Sequence, residues 1–575
     1  MFTRACQVVP DISSFAVDDG FTYGIPDDLE PVVGSRVRIR VSGRRMRGYV
    51  TALLSDVPDK RLVAIDGVVG DIPSFSPGDL EVLRWCATHY VSPVSTVLKR
   101  TVPPNVPRRK AAVALAQSPI GIGTVTSVVP AGKDGAAVAA ALAEIGDDES
   151  AMVVVPSVLE AQDMAEALHA TIGARVTVAH SDLPAKDATA AWVKAAVESG
   201  TLLVGTREVV LWPMPTMARA VVVQDARRVM KSPATPTFGV REIMRKRAEA
   251  RGLPLEFISP LPSLEVLSWT TGERTPEGRC WPLVEVADCS EEPPTGSPLL
   301  ERTRTAITAA AKANAKTFVL VGRRGYARAF RCTNCGELRR CDRCGSAVGR
   351  DSACARCGHA NGACGACGGT TWQHLGAGIG SVVDDLRRSL PRSVGTAGEG
   401  MLVTVGTERD LRTADGVRLA VAVDIDSMTM APHYRAGEDA LRLLVRLANL
   451  VDRGRGNRCL VQTADPTQPV VEALRSGRYE AFMRTELAAR TTAGFPPSGS
   501  LIALEVSPPY EGVDDLVASL RPHAQVHGPA ETGNRMRYLI QGRNLDALRV
   551  HMRSVVGTLR DRGSKVRVDV DPIDL

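Results

Sequence analysis

The stretch RCTNCGELRRCDRCGSAVGRDSACARCGHANGACGACGG, residues 331–369, contains eight cysteines in four C-x-x-C pairs. Each pair places two thiolates on one tight turn, the usual way in which a protein builds a structural Zn²⁺ site. A glycine follows the second cysteine of every pair, and glycine tolerates the tight backbone of such a turn. Eight ligands without an open coordination position predict two structural Cys₄ zinc sites.

The four pairs can share two zinc ions in more than one way. Nested pairing joins the first pair to the fourth and the second to the third, whereas interleaved pairing joins the first to the third and the second to the fourth. A [4Fe–4S] cluster or unligated thiols would also be compatible with the spacing. The chain has 13 cysteines, and crowded thiols in a reducing compartment bind metal far more often than they form disulfides. We therefore expect two Zn²⁺ ions per chain.

Apolar strands alternate with helical stretches on both sides of the cysteines, and continuous apolar strands between helices predict parallel sheets that are covered on both faces. The strand candidates before the cysteines are GTVTSVVP (123–130), AMVVVP (151–156), ARVTVAH (174–180), GTLLVGT (200–206) and RAVVVQD (219–225). Those after the cysteines are MLVTVGT (401–407), RLAVAVDID (418–426) and NRCLVQT (457–463).

Length and composition divide the chain further. A chain of 575 residues exceeds one domain. We predict a β-rich domain at 1–105, a first α/β domain at 106–270, a second at 271–495 with the cysteine insertion at 330–372, and an α+β domain at 496–575.

No apolar run approaches the ~18–20 residues of a bilayer span, and the first residues lack a signal peptide's apolar core. We expect a cytoplasmic protein without membrane contact. The net charge of +6 permits nucleic-acid binding without requiring it.

Several segments resemble the primosomal protein N′ (PriA) family of replication-restart proteins, and together they extend over essentially the whole chain. These segments are GFTYGIP (20–26), LRWCATHYVSPVSTVLKRTVP (83–103), RGYARAFRCTNCG (324–336), RYEAFMRTELAARTTAGFPP (478–497) and VDVDP (568–572). The resemblance implies a multidomain α/β protein. Its parts would be a small β-rich domain that binds 3′ DNA ends, two RecA-like helicase lobes with parallel sheets, a double-zinc insertion in lobe 2 and a small α+β C-terminal domain.

The resemblance also implies roles for individual residues. Phe21, Thr22 and Tyr23 stand where the family receives a 3′ end with an aromatic–acid–aromatic triplet, and Thr22 replaces the acid. The alternative is that Phe21 and Tyr23 share one strand face that packs into a core. Arg36, Arg38 and Arg40 alternate on one face, as a phosphate-contacting stripe or as a solvated surface. The family pairing is nested, which groups the cysteines as Cys332, Cys335, Cys364, Cys367 and as Cys341, Cys344, Cys354, Cys357.

The helicase motifs of the family are degenerate in this chain. A phosphate loop has the pattern G-x-x-x-x-G-K-[ST], whereas here Gly132 and Lys133 are followed by Asp134, an acid that repels phosphate at a helix start. The strand that should end in Asp-Glu ends in Asp225 and alanine, so the acid that activates water is missing. Of the paired arginines expected near the γ-phosphate, Arg453 remains. We regard these residues as a vestigial nucleotide site without catalytic residues.

The expected function is therefore DNA replication restart without ATP hydrolysis. The protein would bind abandoned or stalled forks and single-strand–duplex junctions as a monomer. It would promote loading of the replicative helicase together with other primosome proteins and that helicase or its loader. One alternative is an active ATP-dependent 3′→5′ DNA helicase with a divergent nucleotide site. The second is a zinc-dependent protein-interaction scaffold.

Overall fold

A computed structural model of the chain forms two compact units. Unit 1 comprises Met1–Val128, Lys133–Thr275 and Thr491–Pro572, and unit 2 comprises Val129–Gly132, Pro276–Arg490 and Ile573–Leu575. The structure describes residues 2–57, 61–103, 123–129, 133–173, 175–274, 281–292, 297–322, 330–343, 345, 348–349, 352–354, 358–374, 378–431, 433–532 and 534–573.

Unit 1 begins with an antiparallel five-stranded sheet of order β2-β1-β4-β3-β5, followed by two helices. The elements are β1 Ala5–Pro10, β2 Phe21–Gly24, β3 Arg36–Val41, β4 Arg44–Leu54, β5 Gly67–Val68, α1 Pro77–His89 and α2 Val94–Leu98. One face of the sheet is apolar and forms a small core around Val8, Val37 and Ile39. The β-rich domain predicted at the N-terminus is therefore present.

A two-residue turn joins β3 to β4 and fixes their register. Ser42 and Gly43 both have positive φ, 48° and 77°, which is the backbone of the type I′ turn that suits the twist of a hairpin. Val41 lies opposite Arg44 and Arg36 lies opposite Tyr49. The turn thus determines which arginine of β3 faces which residue of β4.

A seven-stranded parallel sheet of order β12-β6-β11-β10-β7-β9-β8 forms the second part of unit 1. Its strands are β6 Thr124–Val128, β7 Ser150–Val154, β8 Val176–Ala179, β9 Leu202–Gly205, β10 Met217–Val223, β11 Leu255–Ser259 and β12 Gly272–Arg274. Its helices are α3 Asp134–Ala141, α4 Val158–Ile172, α5 Ala185–Val197, α6 Val240–Arg251 and α7 Leu264–Trp269. Every residue of β7 and β9 is buried, as expected for strands covered on both faces.

Unit 2 contains a six-stranded parallel sheet of order β13-β20-β19-β14-β18-β17, and the cysteine insertion adds a separate two-stranded ribbon, β15-β16. The strands are β13 Val284–Asp288, β14 Thr317–Leu320, β15 Phe330–Cys332, β16 Trp372–His374, β17 Val394–Thr396, β18 Val403–Gly406, β19 Leu419–Ala422 and β20 Arg458–Thr463. The helices are α8 Glu301–Lys312, α9 Ile379–Arg387, α10 Ile425–Thr429, α11 Ala436–Ala448, α12 Pro469–Ser476 and α13 Tyr479–Ala493. Both predicted parallel sheets are thus confirmed.

The C-terminal part of unit 1 is an antiparallel sheet of order β22-β23-β21-β24 with two helices. Its elements are β21 Ser500–Ser507, α14 Val513–Ala518, β22 Gln525–Thr532, β23 Arg535–Gly542, α15 Asp546–Asp561 and β24 Lys565–Val570. This matches the predicted α+β class. Among the described residues, no helix is both long enough and apolar enough to cross a membrane.

Buried ion pairs join the three parts of unit 1. Asp79, in the first turn of α1, accepts from Arg251 at 2.5 Å and from Arg247 at 3.4 Å, both on α6. Asp79 also completes a capping box with Ser76, which starts α1. The Lys231 ammonium lies 2.6 Å from the Asp569 carboxylate on β24. The N-terminal domain and the C-terminal domain are thus each tied to the first parallel sheet by a charge pair.

We expect Asp79→Asn to lower the free energy of unfolding by about 3–5 kcal/mol, because it leaves Arg247 as a buried charge without its counterion. The measurement is urea unfolding of the full chain at pH 7. Glu249→Gln is the matched control, since it removes an exposed (i, i+4) pair with Arg245 on the same helix, worth only about 0.3–0.5 kcal/mol. Equal stability of Asp79→Asn and Glu249→Gln would contradict the role assigned to Asp79.

The same pair has a predictable pH dependence. Burial raises the pKa of the Asp79 carboxyl, but Arg251 and Arg247 outweigh burial and hold that pKa below its ordinary value. A carboxyl with a lowered pKa in the folded state stabilises the fold fully above its ordinary pKa of ~3.9, and this contribution is lost as the pH falls further. The stability difference between parent and Asp79→Asn should therefore shrink only below about pH 4.

Candidate metal centre, nucleic-acid interface and vestigial nucleotide site

Four cysteines of the insertion lie close together. The sulfur atoms of Cys332, Cys335, Cys364 and Cys367 all lie within 4.8 Å of one another. The Cys332 and Cys367 sulfurs are 3.5 Å apart, and those of Cys335 and Cys364 are 3.7 Å apart. Four Zn–S bonds of about 2.3 Å in a tetrahedron require sulfur atoms about 3.8 Å apart. The four thiols thus have the spacing of a tetrahedral metal site.

The ribbon β15-β16 explains why these two pairs meet. Cys332 lies opposite Trp372 in the antiparallel register, so the chain returns to the first pair just after it leaves the fourth. Backbone N–H groups of Asn334 and Cys335 hydrogen-bond to the Cys332 sulfur and lower the pKa of its thiol to about 7. The backbone N–H of Glu337 lowers the pKa of Cys335, but hydrogen bonds with the neighbouring thiols outweigh it and raise that pKa to about 12. The metal site is thus indicated by the tetrahedral spacing of the four sulfurs. The cluster could therefore hold a metal ion.

The glycines that follow the four C-x-x-C pairs share one backbone conformation and one hydrogen bond. In each turn the glycine after the second cysteine has a φ between 70° and 79°, a conformation that favours glycine. Each of these glycines donates its N–H to the carbonyl of the first cysteine, at 2.9 Å for Gly336 to Cys332, 2.8 Å for Gly345 to Cys341, 2.9 Å for Gly358 to Cys354 and 2.8 Å for Gly368 to Cys364. Gly345 and Gly358 therefore make the same contact to the first cysteine of their pairs as Gly336 and Gly368 do.

The second predicted site is described only in part. Cys341 and Cys354 are both buried and pack with Val348 in a small cluster. Cys344 and Cys357, the other two predicted ligands, lie outside the described residues. Cys341 and Cys354 thus have the burial expected of metal ligands. That Cys344 and Cys357 complete a second Cys₄ site remains a prediction.

The three residues at the predicted 3′-end position differ strongly in exposure. Phe21 is 40% exposed, whereas Tyr23 is 4% exposed and its hydroxyl donates to the Arg40 carbonyl at 3.0 Å. The Thr22 hydroxyl donates to the Gln7 side chain at 3.1 Å. Tyr23 belongs to the core of the β domain, as in the alternative in which it packs on one strand face, and a contact of Tyr23 with DNA stays a prediction. Phe21 is the aromatic side chain of the triplet that a base could reach.

The predicted arginine stripe is also corrected. Arg38 and Arg40 are exposed, but Arg36 is only 5% exposed, so it is neither part of an exposed stripe nor a solvated side chain. Arg36 lies opposite Tyr49, whose ring packs 6.4 Å from the ring of Phe75. Strand alternation correctly predicts the shared face, but it does not predict what covers one end of that face.

Lys133 and Asp134 stand at the start of α3, and Gly132 lies outside the described residues. The Asp134 carboxylate accepts a hydrogen bond from the Gln224 amide at 2.8 Å. A carboxylate at this helix start places negative charge where a nucleotide phosphate would have to approach. The Asp134 carboxylate at this helix start is therefore already hydrogen-bonded to a side chain of the protein, that of Gln224.

Asp225, the predicted remnant of the magnesium-binding pair, is buried, and its carboxylate oxygen Oδ2 contacts side chains of the protein. It accepts a hydrogen bond from the Ser263 hydroxyl at 2.5 Å and lies 3.6 Å from the Arg241 guanidinium. Arg241 also reaches Glu265 at 3.4 Å. Sequence reasoning missed Arg241 and Ser263, because both are remote in sequence from Asp225 and follow no motif. Ser263 is recognisable only as the residue that caps α7.

Arg453 lies in unit 2 and is exposed. The structure thus places the vestigial residues Lys133 and Asp225 in unit 1 and Arg453 in unit 2.

Comparisons with known proteins agree with these features. The 3′DNA-binding domain (3′BD) model matches residues 7–103, and the Primosomal protein N C-terminal domain model matches residues 491–573. The probable replication restart protein PriA of Mycobacterium tuberculosis (strain CDC 1551 / Oshkosh) is 25% identical over 97% of this chain and 99% of that protein.

The replication restart proteins PriA of Synechocystis and Bacillus subtilis are 25% and 22% identical over 67% and 62% of this chain. The matches span 54% and 50% of those two proteins, about half of their length. Among solved structures, RecG bound to three-way DNA junction aligns with 72% of this chain and 46% of that chain, at 10% identity and a TM-score of 0.37.

We expect Asp225→Asn to lower the free energy of unfolding by about 1–3 kcal/mol, since it removes the charge that Arg241 faces in a buried site. Calorimetric titration with Mg²⁺-ATP should show no binding to either the parent or the variant. If the parent bound Mg²⁺-ATP and the variant did not, Asp225 would be a functional magnesium ligand and its structural role would be refuted.

Proposed function

Because the chain is a relative of replication restart protein PriA over nearly its whole length, we propose that it restarts DNA replication without hydrolysing ATP. It would bind abandoned or stalled forks and promote loading of the replicative helicase. The observation that supports DNA binding best is the folded β domain at residues 7–103, which matches the 3′DNA-binding domain and exposes Phe21 and Arg38.

The lack of ATP hydrolysis follows from the side chains at the carboxyl ends of the first parallel sheet. The Asp225 carboxylate is engaged by Ser263 and Arg241, so it is not free to position a magnesium ion. Alanine follows it, and alanine cannot activate water. Loss of one charge-stabilising group in an active site typically costs ~10²–10³ in rate, and several such groups are missing here.

We assign the parts of the chain as the sequence predicts them. Residues 1–105 are the DNA-end-binding domain, 106–270 and 271–495 are the two degenerate helicase lobes, and 496–575 are the C-terminal domain. The partners are forked DNA, other primosome proteins and the replicative helicase or its loader.

We further propose that the insertion at 330–372 holds two zinc ions in closed Cys₄ sites. The tetrahedral spacing of the first and fourth pairs supports one site, with Cys332, Cys335, Cys364 and Cys367 as ligands. The buried Cys341 and Cys354 and their matching turns support the other, completed by Cys344 and Cys357. When bound, each ion cross-links two turns of a segment that has only a small apolar core.

Fork binding and ATP hydrolysis should be measured on one metal-replete preparation of the full chain. We expect binding to a labelled fork to exceed binding to a plain duplex, and to weaken as salt rises, because phosphate contacts release counterions. We expect no fork-stimulated ATP turnover. A turnover of even ~1 s⁻¹, modest for an enzyme, would favour the helicase alternative instead. Absence of fork binding at any salt concentration would leave the protein-interaction scaffold as the better description.

Elemental analysis should find two zinc ions per chain. Cys335→Ser should reduce this to one, because a Cys₃ remnant binds zinc more weakly and cannot close the tetrahedron. Cys459→Ala is the control, since Cys459 is buried in β20, outside the insertion, and its loss should leave both ions in place. A parent chain with fewer than two zinc ions would show that the proposed stoichiometry is wrong, and iron in place of zinc would identify an iron–sulfur cluster.

A further inference from the structure

The β3–β4 hairpin carries a column of cationic side chains on one face of the N-terminal sheet. From the covered end of the sheet to the turn, Arg36 lies opposite Tyr49, Arg38 lies opposite Arg47, and Arg40 lies opposite Arg45. Directly opposed residues of an antiparallel pair point to the same face, with Cβ atoms about 4.5–5.5 Å apart. The hairpin therefore has two neighbouring arginine–arginine cross-strand pairs, followed by the pair of the buried Arg36 with Tyr49.

The acidic neighbours neutralise one arginine pair but not the other. Asp66 lies 3.3 Å from Arg40 and 3.8 Å from Arg45, so that pair shares a carboxylate. Asp11, the acid next to β1, pairs with Lys99 at 3.6 Å. In the part of the chain that the structure describes, neither Arg38 nor Arg47 has a carboxylate partner. Like charges directly opposite each other destabilise a sheet, so folding alone does not favour this pair.

Arg36, the next arginine along β3, is a second and independent anomaly. Its side chain is buried, and its Nε finds no acceptor among the described residues. Burial lowers the pKa of Arg36, and the neighbouring charge of Arg47 adds to that effect. A buried guanidinium without a counterion is unfavourable, and proteins normally supply a partner. An anion placed beside Arg36, Arg38 and Arg47 would remove both anomalies at once.

We propose that Arg38 and Arg47 hold a phosphate group of a DNA strand, as a backbone contact that does not read sequence, and that the buried charge of Arg36 beside them strengthens this contact. This inference rests on the proposed fork binding and names the residues that carry its salt dependence. The guanidinium fork suits bidentate contact with phosphate oxygens. A row of arginines along a strand also suits a polyanion better than an isolated anion.

This contact is separate from the position predicted to receive a strand end. Phe21 lies opposite Val8, and Val8 belongs to the apolar core formed by Val37 and Ile39. Val37 and Ile39 alternate with the arginines of β3, so their side chains lie on the other face of that strand. Substitutions in the arginine column can thus be made without altering Phe21.

The test is a salt titration of fork affinity, by fluorescence anisotropy, with the full chain carrying Arg38→Gln and Arg47→Gln together. The proposed site holds one phosphate, and each lost phosphate contact reduces the slope of log K against log salt by about 0.9, so the double variant should lose about 0.9. The control carries Arg44→Gln and Arg84→Gln, two exposed arginines outside the column, and removes the same total charge. We expect the control to keep the slope of the parent.

Thermal unfolding separates this role from a structural one. Because Arg38 and Arg47 repel each other, the double variant should melt at the same temperature as the parent or higher. A lower melting temperature together with an unchanged salt slope would overturn the proposal. A second outcome would also contradict the proposal. If millimolar inorganic phosphate raises the melting temperature of the parent, and the double variant keeps the full salt slope on DNA, the site binds a free anion and not a DNA phosphate.

The outcome also distinguishes this inference from the proposed function. If the parent binds forks and the double variant shows the slope of the parent, fork binding stands and the arginine column is not its phosphate contact. If the parent binds no DNA, both proposals fall together.

Discussion

A charge buried away from water needs a counterion, and this requirement holds unit 1 together. Asp79 meets Arg247 and Arg251, and the Lys231 ammonium meets the Asp569 carboxylate and the carbonyls of Val570 and Asp571. Both contacts connect segments that are remote in sequence. The three parts of unit 1 also share one apolar core, and the ion pairs add a cost to any arrangement that leaves these charges without partners.

The same requirement accounts for the present state of the vestigial nucleotide site. Asp225 stands at the carboxyl end of β10, a position where ligands bind in parallel sheets. Here Arg241 and Ser263 satisfy it instead. The sheet itself is stabilised by apolar strands such as β7 and β9, which do not depend on the catalytic side chains. The parallel sheet therefore does not depend for its stability on side chains that would hold a nucleotide.

In the cysteine insertion and the arginine column, some contacts depend on adjacent residues and others on residues that are remote in sequence. A C-x-x-C turn with its glycine is built from adjacent residues, so all four turns have the same hydrogen bond. Which turns share a metal depends on β15 and β16, which bring Cys332 and Cys364 together. In the β domain, Arg36 is a buried charge without a carboxylate partner among the described residues, whereas Asp79 and Lys231 each have an oppositely charged partner, and this contrast supports a phosphate contact beside Arg36.

From sequence alone, the two parallel sheets, the β-rich and α+β terminal domains and the cysteine cluster could be predicted. These features follow from apolar runs, turn residues and motif spacing, which are properties of neighbouring residues. Tertiary structure alone decided that Tyr23 and Arg36 are buried while Phe21 and Arg38 are exposed, and that Arg241 pairs with Asp225. Burial and ion pairing depend on what packs over a face, as Phe75 packs beside Tyr49, and such neighbours are distant in the chain.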